Sequence, residues 1–162
     1  TDVIGHIKLE DKDKVFAEMY RVLKKGGRAI HMIETDATNK WFTLAHQNED
    51  RFRAVFVDVP GHYGLELPTQ LQARFLKHGF KEITFRKMGG NVQEVGFFSG
   101  VFDDGVIKRS PYMRFKVGLD RVLARNFLVK ELLNILKEPI AQLNDRLTPL
   151  DHACGALVVY EK

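Results

Sequence analysis

The double glycine Gly26-Gly27 constrains this chain more than any other feature, because of what stands on either side of it. Before it, Val15, Phe16, Met19, Val22 and Leu23 recur at helical spacing, with Glu18, Arg21, Lys24 and Lys25 on the opposite face. After it, Ala29 to Ile33 is nearly continuous in apolar side chains, the pattern of a strand covered on both faces. Glycine takes the left-handed geometry that ends a helix, and the basic residues preceding it suit the negative end of the helix dipole. The stretch from Tyr20 to Glu34 therefore predicts one helix-to-strand step of a parallel α/β sheet, a common scaffold for nucleotide-like cofactors.

The rest of the chain extends this order. Asp11 or Asp13 is placed to cap the first helix, which runs to about Lys24, and a strand follows from Arg28 to about Glu34. The segment from Asp36 to Pro60 is mostly helical in pattern, with an apolar stripe of Trp41, Phe42, Leu44, Ala45, Phe52, Val55 and Phe56. Pro60-Gly61 breaks it, and Gly61-His62-Tyr63-Gly64 reads as a loop. A helix from Pro68 to His78 buries Leu71, Phe75 and Leu76 and stops at Gly79. Phe80 to Met88 reads as a strand with Ile83 and Phe85 on one face. Residues 91–111 carry an apolar patch and a turn, and Tyr112 to about Leu147 reads as two helices divided near Asn126 or Pro139. The β-formers from Ala153 to Tyr160 close the chain as a strand.

Length allows one ordinary domain at 162 residues. No apolar run approaches the ~20 residues that span a bilayer. A lone cysteine, Cys154, excludes an internal disulfide and fits a reducing, cytoplasmic setting. The net charge of +4 is spread along the helices, so nucleic acid is permitted as a partner without being demanded. No His, Cys, Asp or Glu cluster has metal-ligand spacing. His31 falls on the apolar strand, as a core histidine would, and His46, His78 and His152 have no partner at a telling spacing.

Three stretches together carry a family resemblance. Phe16 to Arg28 ends in Arg-Val-Leu-Lys-Lys-Gly-Gly-Arg and resembles the helix and turn before the fifth strand of class I S-adenosylmethionine-dependent methyltransferases, with Lys25 at the usual proline. Asp2-Val3-Ile4-Gly5-His6-Ile7 is similar to the segment after that family's fourth strand, with Gly5 departing from the pattern. Gly61 to Gly64 and Leu71 to Phe80 resemble the approach to its sixth strand. The resemblance implies an α/β fold, the carboxyl-terminal half of the Rossmann-like methyltransferase domain, over residues 1–162 as a single truncated domain. Its three strands would form a mixed sheet in the family order 5-7-6, the closing strand between the other two, with residues 91–150 as an insertion or lid. The abrupt start at Thr1 fits the trailing part of a longer protein.

What the resemblance implies for function follows residue by residue. Thr1, Asp2 and His6 would lie near the cofactor, S-adenosylmethionine, and Glu34, Trp41, His62 and Tyr63 near the methyl acceptor. His62 and Tyr63, in a glycine-flanked loop, are the candidates for catalysis. The glycine-rich loop after the first strand and the acidic residue ending the second, which grip the cofactor, are not among these 162 residues. The expected activity is methyl transfer in an intact protein, to a small or lipid-like acceptor, with the piece inactive alone.

Two other readings stay open. An RNA or protein substrate would use a basic face of Arg109, Arg114, Lys116, Arg121 and Arg125. A non-catalytic assembly module would pair through the sheet edge at Arg28 to Glu34, giving a homodimer.

Overall fold

A computed structural model describes residues 3–89, 111, 114–115, 118 and 127–162. The chain opens with a 3₁₀ turn, Ile4–His6, and α1, Leu9–Val22. β1, Arg28–Glu34, is followed by the short helices α2, Lys40–His46, and α3, Glu49–Phe52, and by a π-helical segment, Arg53–Asp58. After α4, Pro68–Lys77, come β2, Lys81–Met88, and the long α5, Phe127–Leu147. A 3₁₀ turn, Leu150–His152, leads into β3, Gly155–Glu161.

The three strands make one sheet in the order β1-β3-β2. β3, the closing strand, lies between the other two and is antiparallel to both. The sheet is therefore not mixed, and no parallel pairing occurs among the described residues. Three strands alone also do not establish the family numbering 5-7-6.

One face of the sheet carries the main core. Ala29 and Ile33 of β1 and Ala156, Val158 and Tyr160 of β3 pack against Phe16 of α1 and Leu71 and Phe75 of α4. The Phe75 ring stacks on Tyr160 with centroids 3.9 Å apart, and Phe16 meets Phe75 edge-on at 4.6 Å. Burying such rings stabilises by about 1.5–3 kcal/mol each. The Tyr160 hydroxyl donates to Glu82 at 2.9 Å, and burial pushes the phenol above its ordinary pKa. A second cluster, Ala37, Phe42, Ala45, Phe52 and Phe56, gathers the helices after β1.

Several expectations need correction. β1 is covered on one face only: Ile30 is 60 % and Met32 51 % exposed. Its alternation, Ala29 and Ile33 in and Ile30 and Met32 out, is that of a half-buried strand. α1 begins at Leu9 with no side-chain cap; Asp11 and Asp13 lie within it. Val15, Val22, Val55 and Leu76 are exposed, because the helices touch the sheet along narrower stripes than their apolar content allows. Of the double glycine, Gly26 alone has positive φ, at 74°. Gly27 is needed for space, since a Cβ there would lie 2.8 Å from the Lys24 carbonyl. Ile83 sits at a register shift between Glu82 and Thr84 and is exposed rather than sharing a face with Phe85. Pro139 lies inside α5 and does not divide it; Asn126 falls outside the described residues. Of the expected insertion or lid, residues 91–150, only 111, 114–115, 118 and 127–150 are described. Among the described residues no helix is long and apolar enough to cross a membrane.

Candidate functional site

Three segments far apart in sequence meet at the carboxyl end of β1. The 3₁₀ turn supplies His6, the last residue of β1 is Glu34, and the loop after the π-helical segment supplies His62. The two imidazole rings lie 4.7 Å apart, and His62 Nε2 is 2.9 Å from Glu34 Oε2.

Backbone carbonyls aim both rings. The π-helical turn is wider than an α turn, so Val57 O accepts from both Gly61 N, at 2.8 Å, and His62 N, at 3.0 Å. Phe56 O faces His62 Nδ1 at 3.1 Å. His62 thus presents both ring nitrogens to acceptors, a carbonyl on one side and a carboxylate on the other. The carbonyl can only accept, so His62 Nδ1 carries a proton, and Nε2 lies within ion-pair distance of the Glu34 carboxylate. His6 differs. Its Nδ1 donates to Gly61 O at 3.1 Å, which assigns the proton of a neutral ring to Nδ1 and leaves Nε2 a lone pair on an exposed side chain.

The loop that bears His62 is tied down from beneath. Gly64 N donates to Gly5 O at 2.9 Å. A Cβ on Gly64 would lie 1.7 Å from Ile7 O, so only glycine admits this approach. The buried Lys12 ammonium donates to Gly64 O and, at 2.5 Å, to Glu66. Glu66 in turn accepts from Arg74 at 2.9 and 2.6 Å. Burial lowers the Lys12 pKa, with Glu66 opposing that shift, and the Glu66 carboxylate raises that of Arg74. Arg74 also reaches Asp13, whose carboxyl is held far below the usual range by Lys77, His78 and Arg74. One chain of charges thus joins α1, the His62 loop and α4.

Of the residues expected at a site, His6, Glu34 and His62 come together. Tyr63 is next to them and half exposed. Trp41 is seated instead at the margin of the second core cluster, with the Lys40 ammonium 4.8 Å from its ring centre. Thr1 and Asp2 lie outside the described residues, as do all members of the expected basic face except the exposed Arg114. His31 is half-buried beside Phe75. His46 and His78 do have acidic partners, Asp36 at 3.0 Å and Asp13 at 3.1 Å. The sequence missed these because their separations, 10 and 65 residues, follow no local rule. His6 as the neighbour of His62 was missed for the same reason. Gly61, Gly64 and Gly89 face His6, Ile7 and Cys154 rather than an open cradle, so these three glycines do not form a cofactor grip. Among the described residues no group of three or more His, Cys, Asp or Glu side chains could hold a metal ion.

No family model matches the sequence, and no curated protein does. Among solved structures the chain is similar to phosphoethanolamine N-methyltransferase 2 of Haemonchus contortus, in complex with phosphomonomethylethanolamine and S-adenosylhomocysteine. The identity is 20%, the TM-score 0.42, and the match covers 99% of this chain and 32% of that one. The chain thus spans about a third of that protein's length.

Proposed function

We propose that this chain is the acceptor-side part of an S-adenosylmethionine-dependent methyltransferase, acting on a small or lipid-like acceptor. The observation that carries the reading is the meeting of His6, His62 and Glu34 at the carboxyl end of β1. His6 and His62 come from two of the segments whose sequences resemble the methyltransferase pattern, and Glu34 ends the strand that follows a third. The donor, when bound, supplies an electrophilic methyl group on a sulfonium. An oxygen or nitrogen acceptor that takes the methyl loses a proton, and the exposed Nε2 of His6 is where this chain can receive it. His62 and Glu34 lie behind that ring, and the Phe56 carbonyl holds His62 in place. Tyr63 lines the approach. Positioning of the acceptor supplies the rest of the rate.

The cofactor grip is not among the residues described, so the 162-residue chain alone is expected to bind S-adenosylmethionine weakly. The test uses methyl transfer by a protein that joins this chain to a glycine-rich cofactor segment. His6→Asn should lower kcat by about 10²–10⁴-fold, the scale of general-base catalysis, and leave the donor's Kd within about threefold. Unchanged kcat would refute the role of His6. Tight S-adenosylmethionine binding by the chain alone, in titration calorimetry, would refute the division between grip and acceptor side.

A further inference from the structure

Lys12 stands where the pattern of α1 asks for an apolar side chain. It is 1 % exposed and lies one turn before the fully buried Phe16, on the same face of the helix. An enclosed ammonium is costly, and a thioether would fill the same space without that cost. Packing therefore does not account for a lysine here. Its two acceptors are the Glu66 carboxylate and the carbonyl of Gly64, in the loop that carries His62. We propose that Lys12 is a positioning residue: by fixing Gly64 it holds the Gly61 carbonyl against His6, and so keeps the His6 proton on Nδ1 and the lone pair on Nε2.

The loop and the amino-terminal turn meet at two points. Gly64 N donates to Gly5 O at 2.9 Å, and His6 Nδ1 donates to Gly61 O at 3.1 Å. Gly5 and His6 are consecutive, so the two bonds close one ring, and a shift at either end of the loop is felt at the other. Lys12 holds that ring from outside. Gly64 is thereby fixed through its N–H and its carbonyl alike. Among the described residues, His6 and Lys12 are the only side chains beyond the loop that bond to the backbone of residues 61–64. Lys12 is itself held, because its other partner, Glu66, accepts two bonds from Arg74 of α4. The consequence for His6 is chemical as well as geometric. A neutral imidazole carries one proton, and the nitrogen that faces a carbonyl keeps it. Gly61 O is the one acceptor among the described residues that holds the proton on Nδ1, so with that carbonyl displaced the exposed nitrogen can become a donor. This role deepens the reading of His6 as the proton acceptor and rests on it for its effect on methyl transfer, whereas the tautomer is read on the 162-residue chain alone.

Long-range nitrogen–proton NMR correlation of the imidazole rings separates a protonated ring nitrogen from one with a lone pair. At about pH 8, above the ordinary imidazole range, His6 of the parent should carry its proton on Nδ1. Lys12→Met should raise the ratio of the Nε2–H to the Nδ1–H form by roughly five- to ten-fold, the scale of one hydrogen bond. Lys12→Gln, one bond short of the Gly64 carbonyl, takes its place should Lys12→Met not fold. Tyr160→Phe is the control for lost stability alone. It removes the hydroxyl that donates to Glu82, at the Ala29 end of the sheet, and should leave the ratio at the parent's value. In the protein joined to a cofactor segment, kcat of Lys12→Met should fall at least as far as the Nδ1–H fraction does. A shifted ratio with unchanged kcat keeps the positioning role and refutes the proton-acceptor reading of His6. An unshifted ratio in a folded Lys12 variant overturns the positioning role whatever the kcat. So does an equal shift in Tyr160→Phe, or a parent whose His6 carries its proton on Nε2.

Discussion

Replacing Glu66 should harm this protein more than replacing Lys12, although the two are partners in one ion pair. Both are buried, at 1 % and 5 % side-chain exposure, and 2.5 Å apart. Lys12→Met removes an ammonium for which burial is the larger influence, and puts a thioether of similar length in its place. Glu66 is left with two hydrogen bonds from Arg74, at 2.9 and 2.6 Å, so no carboxylate is stranded. The main loss is a donor to Gly64 O, worth about 1–3 kcal/mol and partly offset by the relief of desolvation. Glu66→Ala, in contrast, leaves the Lys12 charge buried without a counter-charge, which costs about 3–5 kcal/mol. For a chain of this size each kcal/mol moves Tm by about 2–4 °C, so the two variants should separate clearly in thermal and urea unfolding. The double variant Lys12→Met/Glu66→Ala should be more stable than Glu66→Ala alone, because the stranded ammonium is gone. Additive losses, or Lys12→Met the worse of the two, would refute this account of the network. Lys12→Met should also loosen the Gly61–Gly64 loop, faster amide exchange at Gly64 being the sign of it.

Asp13→Asn should flatten the acid limb of stability. The carboxyl is held below its usual range by Lys77, His78 and Arg74, so its contribution is present above about pH 4 and lost as pH falls further. The gap in urea midpoint between parent and variant should therefore be widest near pH 5 and close toward pH 2; a constant gap would contradict the pairing. Phe75→Ala should cost about 3–5 kcal/mol in urea unfolding, since the ring stacks on Tyr160 and touches Phe16 and Phe80. Asn39→Ala should cost about 0.5–2 kcal/mol, since the side chain accepts from Trp41 N and Phe42 N at the start of α2. Gly64→Ala should fail to fold stably, as its Cβ would meet Ile7 O, and recovery of a soluble protein with the parent's midpoint would count against the loop geometry.

The elements legible in the sequence are those set by near neighbours. The turn at Gly26-Gly27, the strand that follows, the Pro68 start of α4 and the closing strand each depend on side chains within a few residues. The central place of the closing strand and the candidates His6, Glu34 and His62 were legible only through a family resemblance, and the contact among those three not at all. His6 and His62 are brought together by the Val57 and Phe56 carbonyls and by the Gly5–Gly64 bond, none of which leaves a spacing rule behind. The buried Lys12 is invisible for a related reason. A lysine on a helix reads as solvent-facing unless one knows that a carboxylate 54 residues away has been folded onto it.

β1 shows why one of the failures is informative. The run from Ala29 to Ile33 was read as covered on both faces because it lacks the polar alternation that a strand open to water on one side usually has. The structure leaves Ile30 and Met32 exposed, so the sequence is more apolar than this fold of the chain requires. Local folding does not account for that excess. Intramolecular packing fully occupies Ala29 and Ile33, and polar residues at positions 30 and 32 would serve β3 pairing equally well, since the ladder is made by backbone. The apolar pattern of β1 thus exceeds the burial that the described residues give it, on the one face that carries Ile30 and Met32.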